Sequence, residues 1–107
     1  MIFIKPGVRI AGLRPEMVLA AVAAESVYRQ AGHDLTITAA IDGIHMAGSL
    51  HYAGAAIDIR TRDVPADKIP AILAKLKEAL AGDFDVLLEG DHIHIEFEPK
   101  QALTANN

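Results

Sequence analysis

The stretch 92–98 alternates strictly between apolar and polar residues, and this alternation limits the chain to folds that contain a one-sided β-sheet. Because successive side chains of a strand point to opposite faces, one set must face a core while the other faces away from it. The apolar set is Ile93, Ile95 and Phe97, and the polar set is His92, His94 and Glu96.

The stretch 56–60 repeats the pattern, with isoleucines on one side and Asp58 on the other. If the two stretches are strands of one sheet, Asp58 and His94 can converge on the side away from the core. His51 can then reach over from the preceding loop. The alternative interpretation is a solvated polar face that binds nothing.

Periodicity along the rest of the chain predicts two helices and further strands. Apolar residues recur at helical spacing over 15–31 and 66–81, and a glycine follows each stretch. Short apolar or β-branched runs predict strands at 35–38, 56–60, 84–88 and 92–98, after an extended segment within 1–13. A tight hairpin across 89–91 makes the sheet at least partly antiparallel. We therefore expect an α+β fold with helices packed on one face of a small, partly antiparallel sheet.

Composition narrows the class of protein. A length of 107 residues and a hydrophobic share of 51% predict one packed domain over 1–100, with a flexible tail over 101–107. The chain has no cysteine, so any metal site must use His, Asp or Glu. The net charge is −4, and 83–98 holds six acidic residues and no basic one, so we expect no nucleic-acid partner.

The sequence also bears on where the protein is found. No apolar run reaches the roughly 20 residues that a membrane span needs, and the first residues lack the pattern of a secretory signal. We expect no membrane span and synthesis in the cytoplasm. The oligomeric state stays open.

Imidazole and carboxylate groups from two distant stretches favour a metal site. Zn²⁺ accepts both ligand types, and a catalytic zinc site keeps three protein ligands and one open position. Two histidines and one aspartate fit that rule, so one zinc ion is the expected cofactor.

The two stretches resemble the motifs of the zinc D-alanyl-D-alanine carboxypeptidases and the phage L-alanyl-D-glutamate endopeptidases, whose fold is shared with the hedgehog signalling domain. The first motif, Ser-x-His-x-x-Gly-x-Ala-x-Asp, is filled by Ser49, His51, Gly54, Ala56 and Asp58. The second, often Asp-His-x-His, is filled by Asp91, His92 and His94. The resemblance covers about 35–98, and it implies the hedgehog and DD-peptidase type of fold.

The resemblance also implies roles for these residues. It implies that His51, Asp58 and His94 bind zinc and that Asp91 is the general base. It implies that His92 donates a hydrogen bond to the developing oxyanion or to the substrate.

Supporting roles follow for Ser49, as a hydroxyl near the ligands, and for Gly54, as a turn that permits close approach; ordinary turn chemistry is the alternative for both. In a regular strand Asp91 and His94 would face opposite sides. Asp91 must therefore lie in the turn before the strand. Glu89 is the alternative base.

One family feature is missing. Many members carry an arginine ahead of the serine motif that polarises the scissile carbonyl, whereas 38–48 contains none. His45 is the nearest candidate substitute. Arg60 and Arg62 are alternatives, although we favour their interpretation as exposed charges at a strand end.

The expected function is hydrolysis of an amide bond in peptidoglycan stem peptides, of either the D-Ala-D-Ala carboxypeptidase or the L-Ala-D-Glu endopeptidase type. The peptide of peptidoglycan is then the expected partner. The protein would come from a phage or prophage and act at the cell wall after release by another factor. The alternative is a zinc-binding module of a larger assembly that hydrolyses nothing.

Overall fold

The computed structural model describes residues 1–41 and 53–99. Within these ranges the elements, in chain order, are β1 (Ile2–Ile4), α1 (Pro15–Gln30), β2 (Leu35–Ala39), β3 (Ala56–Arg60), a 3-10 turn (Ala66–Lys68), α2 (Ile69–Ala79), β4 (Phe84–Glu89) and β5 (His92–Phe97). The predicted α+β class is confirmed, and the helices and the four later strands end within two residues of their expected positions.

The strands form one mixed sheet in the order β1-β2-β3-β5-β4. β1 runs parallel to β2, and the other three pairings are antiparallel. α1 connects the two parallel strands, as a crossover must when neighbouring strands point the same way. The register between β3 and β5 sets Asp58 opposite His94 and Arg60 opposite His92. Cross-strand partners share a face, so these four side chains lie on the same side of the sheet.

Both helices pack on the opposite face. The core joins α1 and α2 to the apolar side of the sheet, and its fully enclosed members include Met17, Ala24, Tyr28, Leu76, Ile57, Ile59, Ile93 and Ile95. Alanines on α1 let the helix approach the sheet closely. Val18 and Val22 of α1 lie outside this buried stripe and are 51% and 56% exposed.

The second helix begins with a 3-10 turn because of Pro70. Proline has no N–H to donate to the carbonyl of Ala66, as an α-helix would require. The N–H of Ile69 donates to that carbonyl oxygen instead, and this shorter-range hydrogen bond gives the tighter 3-10 turn.

Two contacts hold the helix layer to the strand that carries Asp58. The hydroxyl of Tyr28 in α1 donates to the carbonyl oxygen of Arg60 at 2.8 Å. Before α1, the N–H of Arg14 donates to the carbonyl oxygen of Gly54 at 2.9 Å. In the described ranges, no helix is long and apolar enough to cross a membrane.

Candidate functional site

The side chains of β3, β4 and β5 that point away from the helices form what we call the polar face. Register places the following residues on it: Asp58, Arg60, Asp85, Leu87, Glu89, His92, His94 and Glu96. The predicted separation of isoleucines from histidines on β5 is confirmed, because Ile93 and Ile95 are fully buried on the core side.

Asp58 and His94 form the centre of the polar face. Oδ1 of Asp58 and Nδ1 of His94 are 2.9 Å apart, and the two side chains are only 12% and 13% exposed. The hydrogen bond to Asp58 is the main reason why the pKa of His94 lies above its ordinary value, and burial opposes it. The sequence therefore predicted this convergence correctly.

The other ring nitrogen of His94 also has a carboxylate partner. Nε2 of His94 lies 2.9 Å from Oε1 of Glu96. A hydrogen bond at one imidazole nitrogen fixes the ring and leaves the other nitrogen free to act as a ligand. Glu96 was not predicted as a site residue, although its position two residues after His94 on one strand face was a signal for it.

His92 lies between carboxylates at the rim of the polar face. Its Nδ1 is 3.2 Å from Oδ1 of Asp91, and its Nε2 is 3.4 Å from Oε1 of Glu89 and 3.7 Å from Oδ2 of Asp58. The hydrogen bond with His92 is the main cause of the lowered pKa of Asp91.

Asp91 lies outside the regular strand, as was expected from the opposite facing of Asp91 and His94 along a strand. It lies in the two-residue turn between β4 and β5, where its side chain is 93% exposed. Glu89, the alternative base, is the last residue of β4 and contacts the same imidazole from the polar face.

Gly54 has the close approach that was expected of it. Its φ of +71° is a left-handed conformation that side chains disfavour. A Cβ at this position would collide with the carbonyl oxygen of Gly12. The glycine thus lets the segment before β3 pack against the segment before α1. The expected roles of His51, Ser49 and His45 fall on residues 42–52, outside the described part of the chain.

A second group of acids lies farther along the polar face. Carboxylate oxygens of Asp85, Glu96 and Glu98 lie within 4.8 Å of one another. The pKa of Glu98 is raised, first by its hydrogen bond with Asp85 and then by the neighbouring negative charges. Cross-strand register between β4 and β5 sets Asp85 opposite Glu96.

The pair at the centre fits a zinc ion in its chemistry. A carboxylate oxygen and an imidazole nitrogen are ordinary zinc ligands, and two such atoms on a tetrahedral ion stand roughly 3.3 Å apart for bonds of about 2.0–2.1 Å. The observed separation of 2.9 Å between Asp58 and His94 needs only a small change to reach that value. With an ion there, Glu96 would occupy the position that carboxylates take behind metal-binding histidines.

The protein is therefore an α+β domain in which helices cover one face of the sheet and an imidazole–carboxylate pair lies on the other. The family model for the hedgehog amino-terminal signalling domain matches residues 8–97, and the chain belongs to this family. The family is part of a superfamily that includes zinc peptidases. The comparison with curated proteins gives no match.

Proposed function

We propose that this domain binds one zinc ion through His51, Asp58 and His94. The contact of 2.9 Å between Asp58 and His94 carries the proposal, since it brings two of the three ligands together from strands far apart in sequence. Their burial supports it, because side chains that are only 12% and 13% exposed keep their relative positions.

We further propose that the domain hydrolyses an amide bond in peptidoglycan stem peptides and acts at the cell wall. Zinc, when bound, lowers the pKa of a coordinated water to about 7 and so supplies a nucleophile at neutral pH. The support is the family's relation to zinc peptidases and the carboxylates that surround the candidate ligands. D-Ala-D-Ala carboxypeptidase and L-Ala-D-Glu endopeptidase are the two activities that the motifs resemble.

Asp91 is the proposed general base. Its carboxylate is ionised at neutral pH and can accept a proton, although the hydrogen bond with His92 that lowers its pKa makes it a weaker base. His92, held at 3.2 Å from it, can donate a hydrogen bond to negative charge that develops on the substrate carbonyl. Glu89 at the other ring nitrogen is the competing base.

A second candidate is a zinc-binding module that recognises another molecule without hydrolysis. Two observations favour it. The side chain of Asp91 is 93% exposed, and the matching family model describes a signalling domain. A base that must work on one proton is usually better enclosed than this.

The two candidates differ in whether zinc-loaded protein releases new amino termini from purified peptidoglycan. We expect release by the unaltered chain. Asp91→Asn should keep its zinc, and its rate of hydrolysis should fall by about 10²–10⁴-fold, because proton transfer to a base contributes that factor. If Asp91→Asn releases amino termini at the unaltered rate and Glu89→Gln releases none, then Glu89 is the base.

The matched control is Asp67→Asn, which removes an exposed carboxylate from the 3-10 turn on the helix side of the molecule. It should retain both zinc and rate. No release by any preparation that carries one zinc ion would leave the recognition module as the function.

A further inference from the structure

A cavity of about 270 Å³ opens beside the candidate zinc ligands. Its lining includes Asp58, Asp91 and His92, which belong to the site already described. The lining also includes three cations, Lys5, Arg60 and Arg62. We call these three residues the basic wall.

The fold places the basic wall there from two separate parts of the chain. The N–H of Lys5 donates to the carbonyl oxygen of Ile37 at 3.0 Å, so Lys5 continues β1 along β2. Arg60 is the last residue of β3 and lies opposite His92. The buried Thr61 between the two arginines donates its N–H to the carbonyl oxygen of Asp91 at 3.3 Å.

These cations are weakly neutralised. The ion pair of Arg60 with Asp63 is long, at 4.0 Å. Across 1–41 and 53–99, no carboxylate forms an ion pair with Lys5 or Arg62. The positive charge of Lys5 does contribute, as the smallest of several causes, to the lowered pKa of Asp91.

The surroundings of the cavity make this local positive charge unusual. The whole chain carries a net charge of −4. Two further carboxylates contact the histidines: Glu89 contacts His92, and Glu96 contacts His94. An anion in this cavity is therefore attracted by Lys5, Arg60 and Arg62 and repelled by the carboxylates around the two histidines.

We propose that Lys5, Arg60 and Arg62 bind a carboxylate of the substrate next to the amide bond that lies against Asp58 and His94. The inference rests on the proposed function for the nature of that bond. Guanidinium groups hold carboxylates in a fixed, two-pronged geometry, and lysine adds a mobile charge. A stem peptide offers such a group, as the terminal carboxylate of D-Ala-D-Ala or as the free carboxylate of D-Glu.

The test compares peptides that differ only in this charge. Zinc-loaded protein is titrated calorimetrically with acetyl-Lys-D-Ala-D-Ala and its carboxamide, and with Ala-D-Glu peptides and their D-isoglutamine counterparts. One acid should bind about ten- to a hundredfold more tightly than its amide, the range expected for charge-assisted hydrogen bonds. Which pair shows the preference identifies the source of the carboxylate.

Variants assign the preference to the basic wall. Lys5→Gln/Arg62→Gln should abolish it, while Lys68→Gln/Lys75→Gln, which removes the same charge from the helix side, should keep it. Arg60→Gln is left out of the first variant because its side chain is only 20% exposed. Circular dichroism of each variant checks that it folds.

The outcomes separate this inference from the proposed function. A preference that disappears in the first variant supports the basic wall even if no peptide is cleaved, in which case the hydrolytic proposal fails. Equal binding of acid and amide, a preference that survives in the first variant, or no binding of any peptide overturns the inference. Cleavage of acid and amide at equal rates would then leave the hydrolytic proposal intact.

Discussion

Single side chains decide how firmly the polar face can hold a cation, and Glu96 is the one whose contribution is easiest to isolate. It contacts Nε2 of His94 at 2.9 Å, on the side of the ring away from Asp58. A carboxylate in this position restrains the imidazole and raises its basicity, both of which favour metal binding.

Glu96→Ala should therefore weaken zinc binding by about 10–100-fold without removing a ligand. Competition against a chromophoric chelator measures the affinity. Glu98→Ala removes a neighbouring acid whose hydrogen bonds go to Asp85 and Glu96, and it should weaken zinc binding much less. Equal losses in both variants would mean that only the overall negative charge matters.

Gly54 makes a different contribution at the residue scale, through the backbone. Gly54→Ala should cost on the order of 2 kcal/mol of unfolding free energy, because a Cβ adds a collision with the Gly12 carbonyl to the strain of a positive φ. Gly82→Ala shares the positive φ, at +94°, but meets no atom within 4 Å. Urea unfolding should show a clearly smaller loss for Gly82→Ala, and a loss equal to that of Gly54→Ala would rule out the collision.

Among the secondary-structure elements, the contact between α1 and β3 links the core to the site. Tyr28 is 1% exposed and its hydroxyl donates to the carbonyl oxygen of Arg60 at 2.8 Å. The backbone at the end of β3 is thus fixed from the core side, while the side chain of Arg60 lines the cavity.

Tyr28→Phe should lower the free energy of unfolding by about 1 kcal/mol, since the carbonyl of Arg60 loses its donor. Burial raises the pKa of Tyr28 from 10.0 to about 12. Between these two pH values the unfolded chain loses the phenolic proton and the folded chain keeps it, so stability falls as pH rises.

Chemical denaturation from pH 9 upward tests this sign. The unaltered protein should lose stability over that alkaline range, and Tyr28→Phe should lose less. A steeper alkaline loss in Tyr28→Phe would contradict the assignment of the titration to Tyr28.

Strands were predictable from the sequence wherever local pattern determined them. The alternation at 56–60 and 92–98 sufficed to assign both faces of β3 and β5, because one face had to be buried. The 3-10 start of α2 depended on one missing N–H at Pro70, and the exposure of Val18 and Val22 depended on how many helices cover α1. Neither is set by periodicity alone.

At the scale of the whole molecule, the lining of the cavity arises from strand order. Lys5 and Arg60 are far apart in sequence, and they line one cavity because β1 continues along β2, which pairs with β3. Sequence reasoning favoured Arg60 and Arg62 as exposed charges at a strand end; Arg62 is exposed, and Arg60, the last residue of β3, is 20% exposed. That they share a cavity with Lys5 was not predictable, since no local pattern reveals which strands become neighbours. The pairing of Asp58 with His94 was predictable because both residues belong to recognisable motifs.

The most direct test of the zinc site is the number of zinc ions bound per chain, measured by titration and by elemental analysis of the dialysed protein. One ion per chain is predicted for the unaltered sequence, falling far below one in Asp58→Asn and in His94→Gln. His33→Gln, which changes a histidine between α1 and β2, should still bind one ion. No zinc in the unaltered chain, or a full ion in the Asp58 and His94 variants, would contradict the proposed site.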